Sequence, residues 1–214
     1  MFDIEYKGGN SIIISTRKIN LVFDPNRSSF GLKDIIEKDG AEIATEKRFL
    51  TNSSEYRTSI EGPGEYEVSD VAIKGIAAFR HIDDPKSALM EGNIYRISID
   101  NIKIAILGNI HPDVDESQLD ELGHIDILII PVGGSGYTLD ATSAVSLTRK
   151  IDPKIVIPTH FDDSSLNYEV PQDKIDTFIG EMKATVCEVD KKIKIKSDAD
   201  LPDVLEIYKT TYSK

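Results

Sequence analysis

Three short apolar runs constrain this chain more than any other feature: Ile104–Leu107, Ile127–Ile130 and Ile155–Ile157. Each is rich in β-branched residues and has no polar residue in alternation. Continuous runs of this kind read as strands buried on both faces. Each ends in a loop of distinct chemistry: Gly108-Asn109, Pro131-Val132-Gly133-Gly134 and Pro158-Thr159-His160. The segments between them carry helical spacing. The pattern predicts an α/β domain with a buried sheet. Loops gathered at one edge of such a sheet are where these folds place binding and chemistry.

A length of 214 residues suits one domain spanning 1–214, with room for a substantial core. A net charge of −12 argues against nucleic acid or an anionic membrane as partners. The single cysteine, Cys187, excludes an intrachain disulfide and a cysteine-rich zinc site. No apolar run reaches the roughly 18 residues that span a bilayer. The N-terminal MFDIEYKGGN lacks a charged leader followed by an apolar stretch, so a cytoplasmic protein is expected.

In chain order, Phe2–Tyr6, Ser11–Ser15 and Asn20–Phe23 read as strands, with a hairpin turn at Lys7-Gly8-Gly9-Asn10. The third ends at Asp24-Pro25, where proline stops the ladder. Leu32–Lys38 suggests a short helical turn. Gly62-Pro63-Gly64 is a tight turn ahead of a hairpin, Tyr66–Val68 with Val71–Ile76. Pro85–Asn93 reads as a loop before strands Ile94–Ile99 and Lys103–Leu107. Helices are predicted over Ser117–Leu122, Asp140–Lys150 (Asp140 as N-cap) and the amphipathic Gln172–Lys183. Val186–Val189, Lys192–Lys196 and Val204–Tyr208 are closing strands. Both halves are expected to run strands first and helices after.

Three blocks carry a family resemblance: GPGEYEV at 62–68, DILIIPVGGSGYTLD at 126–140 and PKIVIPTHF at 153–161. They resemble the metallo-β-lactamase superfamily, in particular its L-ascorbate-6-phosphate lactonase-like, Zn-dependent hydrolase branch. That branch reads D-x-L-x-I-P-V-G-G-x-Y-T-x-D and P-K-x-V-I-P-M-H-Y at the last two. The resemblance covers nearly the whole chain and implies a four-layer αββα sandwich. It also implies two metal ions, which such enzymes hold about 3.5–4 Å apart to generate hydroxide and clamp the attacked group.

The chain departs from the family where those metals bind. The family places T-H-x-H-x-D-H after a strand; laid on Thr45–Asn52, its ligand positions fall on Glu46, Arg48, Leu50 and Thr51. Guanidinium has no acceptor and leucine no lone pair. No histidine stands before His81. The family's bridging aspartate is replaced by Asn109, a neutral amide. The surviving candidate ligands are His81 and His160, with Glu46 a weaker third. Each has a plainer reading: His160 bonding neighbouring loops, His81 solvated or paired to a carboxylate, His111 and His124 on the surface, Asn109 fixing its loop. Arg48 sets a cation where the family sets metal cations and is expected to hold Glu46 or Asp24.

The sequence therefore points first to a pseudoenzyme or binding module that uses the old cleft and needs no cofactor. The alternative is an active hydrolase of esters, lactones or phosphodiesters with a remodelled, mononuclear Zn or Mn site on His81, His160 and Glu46. A third reading is a structural subunit, and a homo-oligomer stays open. The ligand, small molecule or protein, is unknown at this level.

Overall fold

The computed structural model describes residues 1–86 and 89–212. Positions 87–88 of the expected 85–93 loop lie outside the described residues. The elements are β1 (Phe2–Tyr6), β2 (Ile12–Thr16), β3 (Asn20–Phe23), β4 (Ala41–Ala44), β5 (Thr58–Glu61), β6 (Gly64–Val68), β7 (Val71–Ala78), β8 (Gly92–Ile99) and β9 (Ile102–Leu107). Then follow α1 (Glu116–Leu122), β10 (Ile127–Pro131), α2 (Ala141–Ile151), β11 (Ile155–Thr159), α3 (Ile175–Met182), β12 (Thr185–Glu188), β13 (Lys192–Ile195) and β14 (Glu206–Lys209).

Two mixed sheets form the sandwich. One has the order β13-β1-β2-β3-β4-β5 and the other β12-β14-β11-β10-β9-β8-β7-β6. The three apolar runs are β9, β10 and β11. They pair in parallel, Ile104 opposite Ile127 and Ile127 opposite Ile155, and β10 and β11 are buried along their whole length. β1 alternates instead, with Phe2, Ile4 and Tyr6 inward. Side chains from both sheets, such as Ile4 and Ile14 with Ile97 and Ile129, belong to one core.

The β1–β2 hairpin forms as expected, closed by Lys7 N donating to Ser11 O at 2.8 Å, with Gly8 and Gly9 at positive φ. Asp140 caps α2 by accepting from the Ser143 amide at 2.7 Å. Asp115 caps α1 in a reciprocal box with Gln118.

Three expectations need correction. Leu32–Lys38 is not helical: Arg27 takes the Lys33 carbonyl through Nε (2.9 Å) and Nη2 (2.6 Å), and the Ile35 amide donates to Pro25 O. Those groups are then not available to an i→i−4 ladder. Helix α3 begins at Ile175, not Gln172, because Asp173 donates to Gly133 O and accepts from Asp162 N. Finally, the three α-helices among the described residues all follow β9, where α1 neighbours β7 and α2 neighbours β10. Among its described residues the first half carries only short 3-10 turns, Ser28–Phe30 and Lys47–Phe49.

Candidate functional site

Parallel strands end together, and this gathers the site. The C-terminal ends of β3 (Asp24), β4 (Thr45, Glu46), β9 (Gly108, Asn109), β10 (Val132, Gly133) and β11 (His160) are joined there by the Gly9-Asn10 turn. Two glycines permit the close approach. A Cβ on Gly108 would sit 2.4 Å from Thr45 Oγ1, and one on Gly133 only 2.1 Å from the His160 carbonyl oxygen.

The centre is an ion pair. Arg48 Nε lies 2.9 Å from Glu46 Oε2, and Arg48 Nη2 donates to Glu46 Oε1 at 3.2 Å and to the Tyr137 hydroxyl at 2.7 Å. The guanidinium also lies over the Phe49 and Tyr137 rings, 4.7 and 5.4 Å from their centroids. Glu46 is only 3% exposed while Arg48 is 40% exposed. Burial raises the Glu46 pKa, and Arg48 opposes that shift. Of the two partners expected for Arg48, the structure gives it Glu46.

Asp24 stands beside this pair but is held differently. It accepts from Thr45 N and Thr45 Oγ1, each at 2.7 Å. Burial pushes its pKa up to about 7 despite those hydrogen bonds. Asn109 works as a structural amide: its Oδ1 accepts from Asn10 Nδ2 at 2.8 Å and its Nδ2 reaches Glu46 Oε1 at 3.4 Å. The network Asn10–Asn109–Glu46–Arg48–Tyr137 thus ties the first half of the chain to the second.

The other positions aligned with the family's ligands have the following partners. Leu50 is buried against Ala44 and Phe49. Thr51 donates through N and Oγ1 to Glu42 Oε2, and Ser59 donates to Glu42 Oε1 at 2.6 Å, so the fully buried Glu42 carboxylate is satisfied. His160 is 1% exposed; its Nδ1 lies 3.1 Å from Gln172 Oε1, and its Nε2 is buried without a hydrogen-bond partner among the described residues. Its ring stacks on Tyr137 and meets Phe30 and Tyr168. Burial lowers its pKa to about 4, so the imidazole is neutral. His81 is likewise shifted down by burial, and its amide donates to Asn109 O. His111 accepts from the Asp113 amide, and His124 faces Asp126 at 3.1 Å.

A two-metal centre requires a set of free oxygen and nitrogen donors around one space. Here Glu46 Oε1 accepts from Arg48, while Oε2 lies 2.9 Å from Arg48 Nε but is buried without a hydrogen-bond partner among the described residues, and the Asn109 oxygen accepts from Asn10. Arg48 and Leu50 have no donor to offer. Among the described residues no group of three or more His, Cys, Asp and Glu is placed to hold a metal ion. His81, His160 and Glu46 are therefore not placed as a three-donor group.

The model of the beta-lactamase superfamily domain matches residues 3–160. This chain belongs to that superfamily. A UPF0173 metal-dependent hydrolase of Thermococcus onnurineus is 30% identical over 99 residues, which are 46% of this chain and 44% of that protein. The match thus spans about half the length of that relative. Among solved structures, a candidate Zn-dependent hydrolase of the metallo-β-lactamase superfamily from Thermotoga maritima superposes with a TM-score of 0.79 at 20% identity, covering all of both chains. A metallo hydrolase from Ignicoccus hospitalis gives 0.59 at 15% identity, covering 85% of this chain and 90% of its own. These likenesses establish the sandwich of the metallo-β-lactamase type. No helix among the described residues is long and apolar enough to cross a membrane.

Sequence reasoning reached Glu46, Arg48, Asn109, His81 and His160. It missed Tyr137, Asn10, Glu42 and Gln172 as partners. Tyr137 stands inside the matched GGSGYTLD block, and that position was the available signal. Nothing local marks Asn10 or Glu42, whose partners lie far along the chain.

Proposed function

We propose that this member of the superfamily uses its cleft to bind a ligand and does not carry a two-metal hydrolytic centre. One observation carries the reading: Arg48, at a family ligand position, spends its guanidinium on Glu46, at another. Displacing Arg48 to admit a metal would break the ion pair that covers a buried carboxylate, a loss the metal would have to offset through its own coordination. Re-tuned metal sites usually keep oxygen or nitrogen at each position, whereas arginine and leucine do not.

The second reading is a metal-dependent hydrolase of esters, lactones or phosphodiesters, with Zn or Mn held by His81, His160 and Glu46. The relatives' names support it, since they are called metal-dependent or Zn-dependent hydrolases. The test is a panel of lactones, carboxylic esters and phosphodiesters, assayed with chelator and again with added Zn and Mn. The first reading predicts no turnover in any arm. Turnover that appears with metal and disappears in His160→Ala would establish the second.

A further inference from the structure

A cavity of about 550 Å³ opens beside the ion pair, between the Lys47–Phe49 turn, the Gly62-Pro63 turn and the residues around Arg80 and Met90. This size suits a small molecule. We propose that it binds a small monocarboxylate, docked on the unengaged edge of Arg48. The proposal rests on the metal-free reading above and names the ligand class of that cleft.

Charge is the first argument. The chain as a whole carries −12. The cavity wall is balanced, with Lys47, Arg48 and Arg80 against Glu46, Glu61 and Glu91. Each base faces a wall carboxylate, Arg48 with Glu46 at 2.9 Å, Lys47 with Glu61 at 3.0 Å and Arg80 with Glu91 at 2.9 Å, and Arg80 also holds Asp83 at 2.8 Å. An anion repelled by most of this surface therefore meets most of its repulsion cancelled here, with Asp83 the one carboxylate left over. A dianion such as phosphate would meet that uncompensated charge with twice its own, so a single charge is favoured.

Donor geometry is the second. Nε and Nη2 of Arg48 serve Glu46 and Tyr137, while Nη1 makes no hydrogen bond among the described residues. Arg48 is 40% exposed, so a ligand oxygen can reach it without breaking the pair that neutralises Glu46. Arg80 is already committed to Asp83 and Glu91. Met90, 42% exposed, and Pro63 supply an apolar wall for a short aliphatic body.

The experiment is a titration of the full chain with sodium butanoate, followed by NMR of arginine Nε–H and backbone amides. It is repeated with sodium chloride at matched ionic strength and with inorganic phosphate. Each series is run after chelator treatment and after addition of Zn. The expected result is saturable shifts at Arg48, Gly62 and Met90 in chelator-treated protein, with phosphate weaker. Arg48→Gln should weaken binding about ten-fold, the scale of one charge-assisted hydrogen bond. Met90→Asp, an exposed substitution that spares the core, should weaken it as much through repulsion.

Shifts no different from chloride, phosphate binding tighter than butanoate, or unchanged affinity in folded Arg48→Gln or in Met90→Asp would each overturn the proposal. Binding absent in every arm removes the ligand class and leaves the metal-free reading standing. Binding that requires Zn overturns both.

Discussion

At the level of single residues, the Glu46–Arg48 pair and the two buried titrating groups Asp24 and His160 each make a measurable claim. Glu46 is a buried carboxylate whose charge is tolerated because Arg48 faces it. Arg48→Ala should destabilise the fold by about 1–3 kcal/mol in chemical denaturation, less than a wholly buried pair because water reaches the arginine side. The double variant with Glu46→Gln should recover part of that loss. Asp24 and His160 give a second claim, through protons. The folded state holds Asp24 at a pKa of about 7 against 3.8 ordinarily. Between those values the folded chain keeps a proton that the unfolded chain has released, so this residue makes stability fall as pH rises. His160 is lowered from 6.5 to about 4. Between those values the unfolded chain keeps a proton that the folded chain lacks, so this residue makes stability rise with pH. The two slopes oppose each other over roughly pH 4–6.5. Asp24→Asn should unmask the rise and His160→Gln the fall, read from denaturation midpoints across that range. Identical profiles in all three proteins would contradict the assignment.

At the scale of elements, the strands were legible and the loops were not. β9, β10 and β11 announce themselves because burial on both faces demands unbroken apolar runs, and β1 because one wet face demands alternation. The helix expected over Leu32–Lys38 failed because Arg27, distant from the segment's own ladder, takes its carbonyl. The start of α3 shifted because Asp173 pairs with the β10 and β11 loops. Both errors arise from partners outside the local window. The site divides the same way: Glu46, Arg48 and Asn109 were found by position, whereas Tyr137 and Asn10 join them only in three dimensions. The loops are fitted closely enough to test. Gly133→Ala would bring a Cβ to 2.1 Å from the His160 carbonyl oxygen and 2.2 Å from Gln172 Oε1. It should cost roughly 1–3 kcal/mol and alter the Tyr137–His160 stack. A variant as stable as the parent would show that the β10 loop is not pinned to β11 in this way.

At the scale of the whole molecule, a sandwich of two sheets has to be joined across its cleft as well as through its core. In this chain Asn10, Asn109, Glu46, Arg48 and Tyr137 make that join with hydrogen bonds and one ion pair. On the metal-free reading proposed above, thermal stability should be the same with and without chelator, since no bound ion would contribute linkage to the folded state. The relatives' names favour a metal and this chain's donor set opposes it, so the metal itself is the quantity to measure. Protein purified without a metal-affinity tag, supplemented with Zn and Mn and then dialysed, should be analysed by plasma mass spectrometry. The account predicts metal far below one equivalent per chain. One equivalent or more, lost in His160→Ala, would contradict it and establish a metal site in the cleft.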